Sequence, residues 1–218
     1  MHAVEDGTRP HPSVAGSLGY LLLNFPVGLA GFVAVVTLAP VGLSTAIVWL
    51  GVPVLAVLIL GTRAAARFER ARAHALLGTY VASPYRPLPA IGWRARWRAR
   101  LLDGATWRDL GYFVVLFPIG TAEFVVLVTC WSVGLGLTTL PTYVGYLPEG
   151  TDLGLVRITS AVQALPWAVA GVLVLALSVV LTRELGAVHA RFARLALGPG
   201  PRARRLAETE PDLRSAVA

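Results

Sequence analysis

The sequence contains no lysine, a single cysteine and a single methionine, and only 14% of its 218 residues are charged. Each shortage excludes something. A lone cysteine, Cys130, can form no disulfide within the chain and reads as a small buried hydrophobe. A soluble domain carries about 25% charged residues, so this chain does not have the composition of one. The four histidines, His2, His11, His74 and His189, are scattered, and none is expected within a membrane span. No carboxylate pair or Cys/His cluster has metal-ligand spacing, and no glycine-rich phosphate loop occurs. Asp103-Gly104 opens like a lipid-headgroup transferase motif, but the later aspartates that would hold metal are missing. Ser44 and Ser132 have no intramembrane histidine to act as base. The expectation is a protein that is not an enzyme and uses no cofactor or metal.

Apolar residues take the place of charge. They make up 56% of the chain, and the mean hydropathy is +0.66. They fall in four blocks, at about 18–39, 41–60, 111–137 and 161–181. A block of roughly 18 or more apolar residues can cross the hydrocarbon core as a helix. The blocks do not alternate apolar and polar residues, which excludes the strands of a membrane barrel. The fold class is therefore an all-α membrane protein with four transmembrane helices.

The arginines set the expected orientation. Ten lie from Arg63 to Arg108 and seven from Arg183 to Arg214, whereas the loop before span four carries only Arg157. Arginine excess marks cytoplasmic segments. Both termini and residues 61–110 are thus expected in the cytoplasm, and residues 138–160 outside, in a multi-pass protein of the bacterial inner membrane. The start of the chain, with Glu5, Asp6 and one arginine, is not the basic start of a cleaved signal peptide. A net charge of +7 is read as this topology signal, not as a nucleic-acid footprint.

The chain also repeats itself. Gly19-Tyr20 with Phe25-Pro26-Val27-Gly28 recurs as Gly111-Tyr112 with Phe117-Pro118-Ile119-Gly120, at an offset of 92 residues. Arg67-Phe68-Glu69-Arg70 recurs as Arg191-Phe192-Ala193-Arg194, and Leu77-Gly78 as Leu197-Gly198. Each copy reads as a helical hairpin followed by an arginine-rich cytoplasmic amphipathic helix. A unit with two spans returns to the side where it began, so the copies are expected as parallel repeats about an axis along the membrane normal. The boundaries are a disordered start (1–14), a membrane domain (15–200) and a disordered tail (201–218). Within the domain lie repeat one (15–80), a linker with an interfacial helix (81–106) and repeat two (107–200).

Several residues are candidates for function. Pro26 and Pro118 lie inside spans, where proline removes a helical hydrogen bond and tends to kink the helix; packing alone would also account for them. Trp93, Trp97 and Leu101 form an apolar stripe flanked by arginines, suited to an interfacial helix on anionic headgroups, or to a plain anchor. Arg63, Arg67, Arg70 and His74 share one helical face. Glu123 is the one ionisable residue deep in a span, and a carboxylate there is a functional hypothesis by default. Its plainer reading is a protonated acid bonded to a neighbouring helix. The outer loop offers Tyr143, Tyr146, Glu149 and Asp152 and is too short for a folded ligand domain.

The paired motifs resemble the actinobacterial Putative sensor domain family, a membrane input domain often fused to two-component histidine kinases. The likeness rests on Tyr20 with Phe25-Pro26-x-Gly28, on Trp107-Arg108-Asp109 with Tyr112 and Phe117-Pro118-x-Gly120, and on the Arg67-Phe68-x-Arg70 and Leu77-Gly78 ends. It covers roughly residues 15–200. The resemblance implies signal input, with a histidine kinase or another signalling protein as partner and a homodimer through it. This chain carries no phosphorylatable helix or ATP-binding part, so it is expected as a stand-alone sensor-like protein or a fragment. The competing function classes are a transporter or channel subunit and a membrane assembly scaffold.

Overall fold

The computed structural model describes residues 12–85, 89, 92–147, 150–152, 154 and 156–200. The described residues form five α-helices: α1 (Val14–Ser44), α2 (Gly51–Leu77), α3 (Trp93–Leu102), α4 (Gly104–Tyr143) and α5 (Ala161–Leu197). A two-residue antiparallel pair, β1 (Thr151–Asp152) and β2 (Arg157–Ile158), lies in the loop before α5. Four of the helices, all but α3, are long and apolar enough to cross a membrane. At 1.5 Å per residue the 40-residue α4 is about 60 Å long, well beyond a hydrocarbon core of about 30 Å.

Local chemistry fixes the helix ends. Ser13, Asp103 and Ser160 cap α1, α4 and α5 by accepting from the backbone N–H of Gly16, Ala105 and Gln163. Such caps satisfy donors that the first turn leaves without partners. Gly78 ends α2 with φ +62°. Its N–H bonds to the His74 carbonyl and the Thr79 N–H to the Ala73 carbonyl, the left-handed stop that glycine permits. The arginine-rich segments are not separate helices. They are the last turns of α2 and α5, which run on from the apolar part unbroken.

Glycines set the packing. In the first hairpin, Gly16 lies against Leu76 and Gly42 against Leu55; in the second, Gly134 lies against Leu175 and Gly171 against Thr138. Each hairpin is therefore antiparallel. The hairpins meet through α1 and α4. A Cβ on Gly28 would stand 3.0 Å from the Phe117 Cα, and one on Gly120 would stand 2.8 Å from the Asn24 carbonyl oxygen. Gly31 faces the Phe113 ring. Phe25 stacks on Phe124 at 5.0 Å and Phe32 on Phe117 at 4.8 Å.

These pairs advance along α1 while they retreat along α4, so the two helices pack antiparallel. The expectation of parallel repeats in one orientation is corrected on this point. The reason is steric. Gly28 admits Leu116 and Phe117 while Gly120 admits Asn24, and the two phenylalanine stacks flank that crossing. Exchanging residues by the 92-residue offset turns each of these contacts into the other, which describes a two-fold relation perpendicular to the helices rather than along them. The two hairpin tips, at residues 45–50 and 144–147, consequently point in opposite directions. The arginine-bearing ends of α2 and α5 meet in the middle, where Arg70 donates to the Leu197 carbonyl.

Two measurements test this packing. With Cys130 replaced by serine, the pair Phe25→Cys and Phe124→Cys should crosslink, whereas Val36→Cys with Val128→Cys, a repeat-matched pair that parallel repeats would place at one height and antiparallel packing sets far apart, should not. Gly120→Val should cost about 1–3 kcal/mol through overpacking against Asn24, read as a lowered unfolding midpoint. Gly111→Ala, where a Cβ meets nothing within 4 Å, should not.

Candidate functional site

A buried polar junction lies where α1, α2, α4 and α5 meet. Asn24 of α1 sits at its centre. Its amide nitrogen donates to Glu123 Oε2 of α4 at 2.7 Å, and its amide oxygen accepts from Arg72 Nη2 of α2 at 2.7 Å. Arg72 Nη2 also donates to Glu69 Oε1 at 2.7 Å. The same Glu69 oxygen accepts from the hydroxyls of Tyr20 on α1 and Tyr112 on α4. His189 of α5 brings Nδ1 to 2.8 Å from Glu123 Oε1 and 3.1 Å from the Asn24 amide nitrogen. The Arg72 guanidinium lies over the Tyr20 ring at 4.2 Å, and Tyr20 meets His189 edge-on.

Every member is buried, from Asn24 and Glu69 at 0% exposure to Glu123 at 8%. An isolated ion in such a place is costly, and it is tolerated only with partners. The chain supplies them by sequence spacing. Tyr20 and Asn24 are one turn apart on α1, and Glu69 and Arg72 one turn apart on α2, so each pair shares a face. Glu69 Oε2, Arg72 Nε and Nη1 and Ser17 Oγ have no hydrogen-bond partner in the protein among the described residues.

A second cluster borders the first. Tyr85, in the segment after α2, donates its hydroxyl to Asp109 Oδ2 at 2.6 Å and accepts from Arg70 Nη2 at 2.7 Å. Arg63 lies over its ring at 3.9 Å. Arg63 further donates to Thr106 at 2.6 Å and pairs with Asp103, while Arg70 lies 3.8 Å from Asp109. Burial, then the hydrogen bond to the Asp109 carboxylate, pushes the Tyr85 hydroxyl up to about 12.

The sequence candidates fall in different places. Glu123 lies inside the junction. Pro26 and Pro118 lie on the exposed sides of α1 and α4 beside the crossing, and both helices continue through them. Trp93 is exposed and Trp97 half-buried. With Leu101 they line an apolar slot of about 470 Å³ against Val52, Pro53 and Ile59 of α2, so the stripe has a protein wall beside it. Tyr143, the last residue of α4, and Tyr146, just beyond it, are exposed and away from the junction; Glu149 lies outside the described residues, as do 1–11 and 201–218, which cover most of the expected disordered ends. Asp103 is a helix cap bound to Arg63, which accounts for it without lipid chemistry.

Two expectations need correction. His189 is not outside the long helices but buried within α5, at 1% exposure. The arginine face of α2 is also split. Arg67 and His74 are exposed, but Arg63 and Arg70 are buried, because Asp103, Asp109 and Tyr85 reach them from distant parts of the chain. Asn24, Glu69, Arg72, His189 and Tyr85 were not singled out by sequence. The available signal was Asn24, the sole amide in an otherwise uncharged apolar block.

With that geometry in view, comparison with known proteins identifies the chain. The model of the Putative sensor family matches residues 20–197, and the chain belongs to that family. No curated protein and no solved structure gives a match.

Asn24→Leu should destabilise the protein by about 3–5 kcal/mol, because it strips a partner from both Arg72 and Glu123 in a buried junction; chemical unfolding in detergent reads it. For Tyr85, the sign follows from a raised value. The hydroxyl stays neutral in the folded protein above its ordinary value of 10.0. Its stabilisation is therefore complete below that pH and is lost as pH rises toward about 12. The tyrosinate absorbance difference between wild type and Tyr85→Phe should be absent at about pH 10.5 and present only near the upper value.

Proposed function

We propose that this chain is a non-catalytic integral-membrane sensor or regulatory module, which reads a signal at or within the bilayer and passes it to a signalling partner. The carrying observation is that the family domain, residues 20–197, contains a polar junction to which all four long helices contribute a polar side chain. A displacement of any one helix is then felt by the other three, which is what signal input requires.

The partner in this reading is a histidine kinase or another protein of a two-component system, with a homodimer formed through it. The exposed arginines of α3 and the Trp93–Trp97 stripe serve anionic headgroups of the cell membrane. The two copies of the Gly-Tyr and Phe-Pro-x-Gly motifs are taken as a duplicated hairpin.

A transporter or channel subunit would need a polar route through the bilayer. Glu123 offers little toward one, since its two carboxylate oxygens are engaged by Asn24 and His189. That engagement favours the sensor reading.

The deciding experiment is chemical crosslinking of a tagged copy in native membranes, with captured proteins identified by mass spectrometry. Capture of a histidine kinase or response regulator is the expected result. Capture of transporter subunits, or of the chain alone, would retire the two-component reading and favour transport or scaffolding.

A further inference from the structure

The charges of the junction do not cancel. Glu69 and Glu123 are carboxylates and Arg72 is the one guanidinium among them. With a neutral His189 imidazole the cluster holds one net negative charge in a buried site. With one proton added to the His189–Glu123 pair it is neutral. The neighbours do not change this count. Arg63 and Arg70 are matched by Asp103 and Asp109 in the bordering cluster, and the other titratable groups facing the pair, Tyr20 of α1 and Tyr112 of α4, are neutral donors to Glu69.

We propose that the His189–Glu123 pair is a proton-binding site whose occupancy locks the four-helix junction. The proton lies between His189 Nδ1 and Glu123 Oε1, 2.8 Å apart, and it belongs to the cluster rather than to either residue. Glu69 sets its affinity from a distance, through Arg72 and Asn24. While the site is filled, each carboxylate has a cationic partner. When it empties, one carboxylate at the meeting point of all four long helices has none, and water entry or separation of α4 from α1 becomes the favourable response. Buried carboxylates and histidines at helix junctions are the groups that membrane proteins use to couple protons to conformation. This goes beyond the sensor reading, since it names what the junction binds, and it holds whether or not a signalling partner is captured.

The test uses full-length protein, labelled with nitrogen-15 in histidine, in nanodiscs. The His189 ring-nitrogen shifts are followed from about pH 4 to about pH 10, with His189→Asn supplying the assignment. Wild type should show a single one-proton titration. Glu69→Gln removes a charge that touches neither ring nitrogen, and it should weaken proton affinity about tenfold, moving the titration about one pH unit toward acid. Glu123→Gln, which keeps a hydrogen-bonding group beside Asn24, should move it further. Amide exchange protection around Asn24 and Glu123 should drop as the proton leaves. A ring that keeps one protonation state throughout, a Glu69→Gln titration that coincides with wild type, or protection indifferent to the titration would each overturn the proposal. The Glu69→Gln and wild-type results decide the matter even if Glu123→Gln does not fold.

Discussion

The cost of keeping Glu69, Arg72 and Glu123 out of water governs the rest of this structure. None of these groups can stand in a low-dielectric interior alone. Each must be met by a partner, and the partners come from different helices. Arg72 and Glu69 are on α2, Asn24 and Tyr20 on α1, Glu123 and Tyr112 on α4, and His189 on α5. The helices are thereby held in register by electrostatics, where apolar packing against lipid or protein would allow sliding. Satisfying the ions is what fixes the height of one hairpin against the other.

That solution is available only because the backbones come close. Glycine at positions 28 and 120 removes the side chains that would hold α1 and α4 apart. The Asn24 carbonyl is pressed toward Gly120, which brings the Asn24 side chain within direct hydrogen-bond reach of Glu123 one turn further along α4. Pro26 and Pro118 sit beside the same crossing on the exposed side. They leave the carbonyls of Leu22 and Val114 without their usual helical donors. Small residues inside and prolines outside thus bring the backbones of α1 and α4 together at a place where each helix lacks one of its own hydrogen bonds.

Much of this was legible in the sequence. The four long helices followed from apolar block length, and a candidate at Glu123 from its isolation among apolar residues. The orientation of the hairpins was not legible. An offset of 92 residues states which positions correspond and is silent on the symmetry that relates them. Nor were Arg63 and Arg70 readable as buried, since a helical wheel shows that they share a face but not that Asp103, Asp109 and Tyr85 return to cover it. His189 was hidden for a related reason. It sits among arginines in a segment whose composition reads as surface, and its burial comes from Tyr20, Glu123 and Phe192 on three elements.

The relation between the two halves then explains where the chemistry is. Corresponding positions that build the crossing are alike: Tyr20 and Tyr112, Phe25 and Phe117, Gly28 and Gly120, Phe32 and Phe124. Corresponding positions that carry the ions are unlike. Asn24 answers to Leu116, Glu123 to Gly31 and Glu69 to Ala193. A symmetric crossing with symmetric carboxylates would place two like charges across the same axis and raise the desolvation cost with no partner to offset it. Restricting the acid on α4 to one half, and the Glu69–Arg72 pair to the other, lets each carboxylate meet a cation or a histidine. The shared residues therefore account for the scaffold, and the residues at which the halves differ account for the site.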